Sequence, residues 1–296
     1  MITPMKECLS DRLFRIGTTG LLFFLLLIVL YPLYFIVIAS VSDITAVNNG
    51  EVLFWPAGIQ WIGYQKVFGN QNILTGYRNT IVYTALGTAL HLSVTLTAGY
   101  ALSVSFPGKN LLMLFITFTM FFRGGLIPTY LLIQSLHMLD TLWVMIIPGA
   151  VNVYNLIIAR SFFQSSISPE LYNAAEIDGC SRIQFFARIV LPVSGVLVSI
   201  MTLFIAVGHW NAYFDALIYL SSRARFPLQL VLREILIQNT IPAGDIQDPE
   251  TSAVLQNMSE TLKYALIIVA SLPVMALYPF LQKSFVRGVM IGSLKG

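Results

Sequence analysis

The sequence predicts an all-α membrane protein with six transmembrane helices, and two observations favour this fold class. Of the 296 residues, 56% are hydrophobic and only 10% are charged, whereas about a quarter of the residues in a soluble domain are charged. The apolar residues also form runs of about 20, the length that a helix needs to cross roughly 30 Å of hydrocarbon. Runs such as LLFFLLLIVL (21–30) do not alternate with polar residues, so helices are favoured over membrane β-strands.

Six such runs predict one membrane domain over 16–296, preceded by a cytoplasmic segment at 1–15. The spans are expected at 16–40, 77–105, 110–134, 140–163, 189–212 and 263–282. Basic residues precede the first run, as they do in a secretory signal. That run is too long for a signal, however, and ASVSD (39–43) is a poor cleavage site, so we predict a retained helix.

The basic residues beside the spans predict that both termini are cytoplasmic. With the N-terminus inside, ten of the 17 Lys and Arg residues lie in inner segments. Most of the others lie in or beside long outer loops, where the positive-inside rule is weak. Cys8 and Cys180 both fall on the inner side, where free thiols are expected. No nucleic-acid partner is predicted, because no basic cluster with interleaved aromatic residues occurs.

Two predicted outer segments, 41–76 and 213–262, are longer than simple connections need to be. The first carries FWPAGIQWIGYQKVF (54–68), whose aromatic residues suit the membrane interface better than a ligand site. The second contains apolar residues at helical spacing, which predict an amphipathic helix: Leu228, Val231, Leu232, Ile235 and Leu236. Its apolar face needs a surface to rest on, either in its own domain, in the bilayer or on a partner.

The polar stretch NAAEIDGCSRIQFFARIVLP (173–192) lies between two apolar runs and predicts a helical elbow on the cytoplasmic side. Ser168 is expected to be the N-cap of a first short helix, with Pro169 at its first position. That helix is expected to end near Ile177. Gly179 is expected to adopt the positive φ of a helix C-terminus.

A second short helix is expected after the elbow, since Ser181 and Gln184 have the spacing of a capping box. It leads to Pro192, where the fifth span is expected to begin. The first helix is small and rich in alanine, which is typical of a helix that fits into a groove on another protein.

This stretch resembles the EAA loop of ABC-importer permeases, in which Glu-Ala-Ala is followed after three residues by Gly and after nine more by Ile-x-Leu-Pro. The residues on that spacing are Ala174, Ala175, Gly179, Ile189, Leu191 and Pro192. Asn173 stands where the family usually has Glu, which removes a charge that would pair with a basic residue of a partner. The resemblance implies an ATPase-coupling segment at 164–192 with these contact residues: Asn173, Ala174, Ala175, Glu176, Asp178, Gly179 and Pro192.

The similarity covers nearly the whole chain and narrows the family to carbohydrate-uptake permeases, in the subgroup for oligosaccharides and polysaccharide fragments. The stretches that carry it are RGGLIPTYLLIQSLHMLDTLWVMIIPGA (123–150), HWNAYFDALIYL (209–220) and YPFLQKSFVRGVMIGSLKG (278–296). It implies the type I (MetI-like) importer permease fold in the bacterial inner membrane. It also implies three partners: a second homologous permease, an ABC ATPase dimer and an extracytoplasmic solute-binding protein.

ATP and magnesium are expected in the partner ATPase, and no cofactor is expected in this chain. No GxxxxGK[ST] motif occurs, and the nearest fragment, FPGKN (106–110), lacks both the first glycine and the Ser or Thr that would hold magnesium. Six helices are also few for a pathway that carries large polar solutes, so association with another membrane subunit is expected.

Polar and aromatic residues at the ends of the spans are candidates for the substrate path. They are Arg123, Trp210, Asn211, Tyr213 and Asp215. Asn211 and Asp215 are four residues apart, so on a helix they would share one face and could bond sugar hydroxyls while an aromatic ring stacks on the pyranose. The competing interpretation is an aromatic belt at the membrane interface.

Two further ionisable residues lie in or beside the apolar runs. Arg123 stands next to two glycines, so it predicts either a helix break that lines a polar cavity or an arginine that reaches to the interface. His91 lies midway along the second span and is expected to form a hydrogen bond to a neighbouring helix.

Two other functions remain as alternatives: a six-helix facilitator that acts without ATP, and an intramembrane enzyme. No HExxH or GxSxG motif occurs, and the cysteines lack metal-ligand spacing, so neither a catalytic nor a metal site is predicted. The charge of the sugar is open as well. Arg223, Arg225 and Arg233 would suit an acidic sugar, but Asp245, Asp248 and Glu250 follow closely.

Overall fold

The computed structural model describes residues 9–122, 124–238, 260 and 262–276, and over these residues the chain is helical and without strands. Several sequence features therefore lie outside the described residues: Arg123, the first eight residues, the acidic residues at 245–250 and the similar stretch at 278–296. The chain divides into two compact units. One comprises Met1–Gly69 with Leu236–Ala270, and the other comprises Asn70–Ile235 with Ser271–Gly296.

The first unit is dominated by one long apolar helix. Its helices are α1 (Leu9–Ser40), α2 (Ile44–Asn48), α3 (Ile62–Gly69) and part of α14 (Leu262–Ala276). Helix α1 has a mean hydropathy of 2.9 over its most apolar window, of which only 6% is buried. A helix that is apolar on all sides and so exposed needs lipid or another subunit as its cover.

The segment after α1 folds back onto that helix through hydrogen bonds from side chains. The hydroxyl of Tyr31 donates to the carbonyl of Leu53 over 3.4 Å, and that of Tyr34 donates to the carbonyl of Phe54. Trp55 remains 80% exposed. An exposed tryptophan is consistent with the expected interface belt, but the belt itself stays a prediction.

The second unit is built around one long helix, α4, against which α7 and α11 pack. Its helices in chain order are α4 (Gln71–Ser103), α5 (Lys109–Phe121), α6 (Leu126–Ser135), α7 (Val153–Ser166), α8 (Pro169–Ile177), α9 (Arg182–Phe185), α10 (Leu191–Val193), α11 (Gly195–Trp210), α12 (Phe214–Tyr219) and α13 (Leu228–Gln238, up to residue 235). Two 3-10 turns cover Leu142–Met145 and Arg223–Arg225, and a π-helix covers Phe186–Val190.

Three glycines of α4 allow its neighbours to come close. A Cβ at Gly76 would lie 3.1 Å from the Cα of Leu228, and one at Gly99 would lie 2.8 Å from the Cβ of Ala159. A Cβ at Gly87 would overlap the ring of His209. Since interiors are closely packed, a larger residue at these positions would push α13, α7 or α11 away from α4.

The number of spans stays a prediction. Within the described residues, α1 and α4 are each long and apolar enough to cross a bilayer, and two bent pairs raise the number to as many as four. Those pairs are α5 with α6, and Arg182–Val193 with α11. Helix α14 is a shorter apolar helix that coincides with the start of the predicted sixth span.

The expected span at 110–134 is two helices rather than one. Helix α5 ends at Phe121, and α6 begins after Gly125, whose φ of +89° an L-residue rarely adopts. A break beside the glycines was one of the two alternatives that the sequence left open. The role of Arg123 remains a prediction.

The prediction of a continuous helix over 140–163 is wrong. The α-helix begins only at Val153, with Asn152 as its N-cap. Pro148 has no N–H to donate and Gly149 has a φ of +76°, so the short turn before them cannot continue as a helix.

The expected span at 189–212 is likewise not one straight helix. Its apolar part begins at Gly195, after a bend of 82° from the preceding helices. Ser194 leaves the helical conformation, with φ −90° and ψ +22°, two residues after Pro192. Gly195 follows Ser194 directly, and a Ser-Gly pair is a common site of a sharp helix kink.

Candidate functional site

The first helix of the elbow has the bounds and caps that the sequence predicted. Helix α8 runs from Pro169 to Ile177, with Ser168 as its N-cap and Asp178 as its C-cap. Gly179 has a φ of +79°. This left-handed residue turns the chain at the end of the helix, as expected for a helix that ends in glycine.

Hydrogen bonds close the C-terminus of α8. At the C-terminus, the N–H of Gly179 donates to the carbonyl of Glu176 over 3.0 Å, and the N–H of Cys180 donates to that of Ala175 over 2.9 Å. This is the Schellman arrangement. At the N-terminus, the Glu170 carboxylate accepts hydrogen bonds from the N–H of the same residue and from the Ser168 hydroxyl, and these bonds lower the pKa of Glu170.

The second helix begins with the predicted capping box. The N–H of Gln184 donates to the hydroxyl of Ser181 over 3.3 Å, and the N–H of Ser181 donates to the Gln184 side chain over 3.0 Å. The elbow is therefore confirmed as two capped helices around Gly179. The π-helix that follows α9 was not predicted, since no local signal in the sequence marks it.

The elbow is anchored in the second unit by buried apolar residues, which we call the elbow core. Ala175 from α8 and Phe185 from α9 lie in it and are 8% and 0% exposed. Its members, drawn also from α4, α7 and α11, are Leu96, Ala159, Phe163, Ala175, Phe185, Val190, Leu197, Met201 and Ile205. A displacement of the elbow must therefore move side chains that pack against the long helices.

A side-chain bridge that the sequence analysis missed joins the two helices of the elbow. The Tyr172 hydroxyl accepts from Nε of Arg182 over 3.1 Å and donates to Oε1 of Glu176 over 3.3 Å. The Tyr172 ring packs edge-on against Phe185, with centroids 5.2 Å apart. The four-residue spacing of Tyr172 and Glu176 was the available signal.

The predicted coupling residues divide between the surface and the core. Ala175 is buried, whereas Asn173, Ala174, Glu176, Asp178, Gly179 and Pro192 are exposed. Two apolar side chains that were not predicted stand out beside them: Ile177 is 88% exposed and Ile183 is 81% exposed. Their exposure makes this face of the elbow a candidate contact surface.

At the opposite end of the predicted fifth span, the candidate path residues differ in burial. Trp210 is buried and packs against Tyr77, with ring centroids 6.0 Å apart, while Asn211, Tyr213 and Asp215 are exposed. The expectation that Asn211 and Asp215 share one helical face is wrong. Helix α11 ends at Trp210, with Asn211 as its C-cap. The Asn211 side chain donates back to the carbonyl of Val207, and Asp215 belongs to α12.

Helix α13 brings two further polar residues to this place. Nε2 of Gln229 donates to Oδ1 of Asn211 over 3.3 Å. The guanidinium of Arg233 lies over the ring of Tyr213, 5.4 Å from its centroid. We call Asn211, Tyr213, Gln229 and Arg233 the outer cluster. Gln229 was not predicted, although its four-residue spacing from Arg233 was visible.

The start of α13 is fixed by a second group of contacts, which we call the outer latch: Asp140, Ser221, Ser222 and Arg225. The Asp140 carboxylate accepts from the N–H groups of Ser221 and Ser222 over 3.1 and 3.0 Å and forms an ion pair with Arg225 at 2.7 Å. The hydrogen bond from Ser222 is the main cause that lowers the pKa of Asp140.

Helix α4 holds the same segment from its other side. The Asn79 side chain donates to the carbonyls of Ala224 and Phe226 over 2.8 and 3.0 Å, and Thr80 Oγ1 accepts from the N–H of Leu228 over 2.8 Å. The apolar residues Leu228, Val231 and Leu232 are buried. Of the other two predicted apolar residues, Ile235 is half-buried and Leu236 is 37% exposed. The first part of the predicted amphipathic helix therefore rests on its own domain.

The histidine expected to bond a neighbouring element does so. Nε2 of His91 lies 2.7 Å from the carbonyl oxygen of Ile146, just after the first 3-10 turn. Its ring also lies 4.5 Å from the ring of His209, centroid to centroid. His91 thus joins α4 to two neighbouring elements.

No protein-family model matches the chain, but individual proteins do. Protein LplC of Bacillus subtilis is 40% identical over 270 residues, which cover 91% of this chain and 90% of that protein. The polygalacturonan/rhamnogalacturonan transport system permease protein YtcP of the same organism is 35% identical and covers 97% of this chain and 100% of that protein.

A solved structure shows the same similarity. In the crystal structure of a bacterial ABC transporter involved in the import of the acidic polysaccharide alginate, one chain is 32% identical to this one, with a TM-score of 0.83. The match covers 94% of this chain and 98% of that one. The predicted permease fold is thereby confirmed, and the chain belongs to the carbohydrate-uptake permeases of ABC importers.

Proposed function

We propose that this chain forms half of the membrane pathway of an ATP-driven importer and that its elbow receives the ATPase. The observation that carries this proposal is the division of the elbow between surface and core. Ala174 and Ile177 are exposed, whereas Ala175 is buried against residues of α4, α7 and α11. A partner that binds the exposed face can therefore move the long helices through the buried one.

The proposed ATPase interface combines exposed apolar side chains with the carboxylates of Glu176 and Asp178. Asn173 offers a neutral amide, and the exposed Glu176 lies three residues after it on the same helix. The Tyr172 hydroxyl takes up only one of the acceptor positions of Glu176, since a carboxylate has about four. The rest remain for a basic residue of the ATPase.

The partners and orientation follow the family resemblance. The complex has this chain, a second permease and two ATPase subunits, which bind ATP and magnesium, and a solute-binding protein delivers the sugar from outside. The chain lies in the bacterial cytoplasmic membrane with both termini inside, which places the elbow in the cytoplasm and the outer cluster on the far side. The bias of basic residues towards the predicted inner segments supports this orientation.

The proposed substrate is an oligosaccharide or a fragment of a polysaccharide. Support comes from the names of the relatives, which refer to polygalacturonan and rhamnogalacturonan, to arabinooligosaccharides and to alginate. These names include both acidic and neutral sugars, so the charge of the substrate must be inferred from the side chains of this chain.

The proposal is tested by reconstituting the chain with a homologous permease, an ATPase and a solute-binding protein in proteoliposomes. We expect sugar uptake that requires ATP, and ATPase activity that the sugar-loaded binding protein stimulates. Uptake by the chain without any ATPase would instead identify a facilitator. Conversion of the sugar by the chain would identify an enzyme.

A further inference from the structure

We propose that the outer cluster binds a sugar acid of the transported carbohydrate and that Arg233 recognises its carboxylate. This inference rests on the proposed import function and specifies the substrate class. It starts from a difference between two arginines. Arg225 is neutralised by Asp140 in the outer latch, at 2.7 Å, whereas Arg233 faces the ring of Tyr213.

The contact with Tyr213 leaves the hydrogen-bonding edge of Arg233 available. A guanidinium has five N–H donors, and an aromatic ring attracts the cation through its π face without taking up all of them. Arg233 is exposed. In the part of the chain that the structure describes, Arg233 forms no ion pair. This holds although Glu234 follows it directly in the sequence and Asp215 lies two residues after Tyr213. A ligand carboxylate can therefore bind both outer N–H groups side by side.

The other members of the cluster suit the rest of a sugar ring. Tyr213 is 42% exposed, so the uncovered part of its ring can pack against the apolar C–H face of a pyranose. Gln229 uses one N–H to hold Asn211, and its carbonyl oxygen and second N–H remain for sugar hydroxyls. Ring, amides and cation together match a uronate more closely than a neutral sugar.

The cluster is also held in place before a ligand arrives. The N–H of Leu228, the first residue of α13, donates to Thr80. The α13 side chains Leu228, Leu230 and Val231 are buried. Gln229 and Arg233 lie four residues apart, on one face of this anchored helix. A site on a rigid element loses less entropy when it binds.

The experiment compares the uptake of two trisaccharides by the full complex in proteoliposomes. One is trigalacturonate, and the other is the same trimer with its carboxyl groups reduced to alcohols. Arg233→Gln should lower trigalacturonate uptake at subsaturating concentration by about tenfold or more, since it removes charged hydrogen bonds. Uptake of the reduced trimer should change less than twofold. Arg233→Lys should retain part of the acidic uptake, because it keeps the charge but not the paired donors.

Arg223→Gln is the matched control, because Arg223 is another exposed outer arginine, and it should leave both uptakes unchanged. The proposal is overturned if Arg233→Gln leaves trigalacturonate uptake intact, if it lowers both uptakes equally, or if the wild-type complex takes up only the reduced trimer. If Arg233→Gln prevents assembly, Arg233→Lys and Tyr213→Ala are compared with the wild type instead. Full trigalacturonate uptake by both of these variants overturns the proposal. An assembled wild-type complex that imports no carbohydrate would instead refute the proposed function.

Discussion

The elbow and the outer cluster with its latch are held together by different kinds of contact. In the elbow, the capping bonds join residues three to five apart, such as Cys180 with Ala175, and apolar burial then attaches the unit to the long helices. The latch joins residues 82 apart, Ser222 and Asp140, and Asn79 bonds a carbonyl 147 residues away. Local signals therefore shape the elbow, whereas the tertiary fold shapes the outer region.

The largest effect is expected where the elbow depends on its core. Phe185→Ala empties a fully buried site and should cost about 3 to 5 kcal/mol of stability. Thermal unfolding of the purified complex measures this cost, and the sugar-stimulated ATPase activity should fall with it. Ile183→Ala, on the same helix but 81% exposed, is the control for stability. If both variants lower the unfolding temperature equally, the core does not anchor the elbow.

The next effect concerns the surface of the elbow. With Asn173 in place of the usual acid, Glu176 is expected to supply the charge that the ATPase binds. A hydrogen bond to a charged group contributes about 1.5 to 3 kcal/mol, so Glu176→Gln should raise the dissociation constant for the ATPase about tenfold or more. Asn173→Glu in that background should restore part of the affinity.

Titration of purified ATPase onto detergent-solubilised complexes measures these constants. Tyr172→Phe is the control, since it removes the hydroxyl that bonds Glu176 while it keeps the carboxylate. Unchanged affinity in Glu176→Gln would show that this carboxylate only solvates the helix.

The turn of the elbow offers a third test. Gly179 has a φ of +79° with no atom near the place of a Cβ, so Gly179→Val is opposed by backbone strain alone, about 1 to 2 kcal/mol. Transport and stimulated ATPase activity should fall together while membrane insertion persists. Gly195→Val, at a position with equally open surroundings and no positive φ, should be milder. Equal effects would locate the turn elsewhere.

The smallest effect is expected in the latch. The depressed pKa of Asp140 means that its carboxylate stabilises the fold above its ordinary pKa of about 4, and this stability is lost as the pH falls through the lowered value. Because the ion pair is partly exposed, Asp140→Asn should cost only about 1 kcal/mol.

Hydrogen exchange of residues 219–228, compared between wild type and variant at equal pH, measures the effect. At pH 6 the variant should exchange about fivefold faster, and the difference should vanish as the pH falls well below 4. Asp178→Asn, in the elbow, should leave this segment unchanged. A difference that persists at low pH would exclude the carboxylate as its cause.

The same contrast explains what could be predicted from the sequence. Local residues encode each part of the elbow: Ser168 marks the start of the first helix, Gly179 the turn and Ser181 the start of the second helix. Each could therefore be recognised in isolation. Hydropathy alone missed the break at Pro148 and the bend after Pro192, because an apolar run looks the same whether its helix is straight or broken.

The outer region was predictable only in part. The apolar spacing of α13 was visible, and so were its arginines. Nothing local indicates that Asp140 neutralises Arg225 rather than Arg233, since Asp140 lies 85 residues before its partner. Nor could the sequence show that Asn211 is the C-cap of α11 and lies beside Gln229.

We propose that the elbow, and not the outer region, contacts the ATPase. Cross-linking in the assembled, active complex tests it, with single cysteines introduced by Ile177→Cys or Arg223→Cys after Cys8→Ser and Cys180→Ala. Both positions are exposed, so accessibility does not bias the result. We predict that Ile177→Cys cross-links to the ATPase subunit and that Arg223→Cys does not. Absence of a cross-link from Ile177→Cys, or one of equal yield from Arg223→Cys, would contradict this assignment.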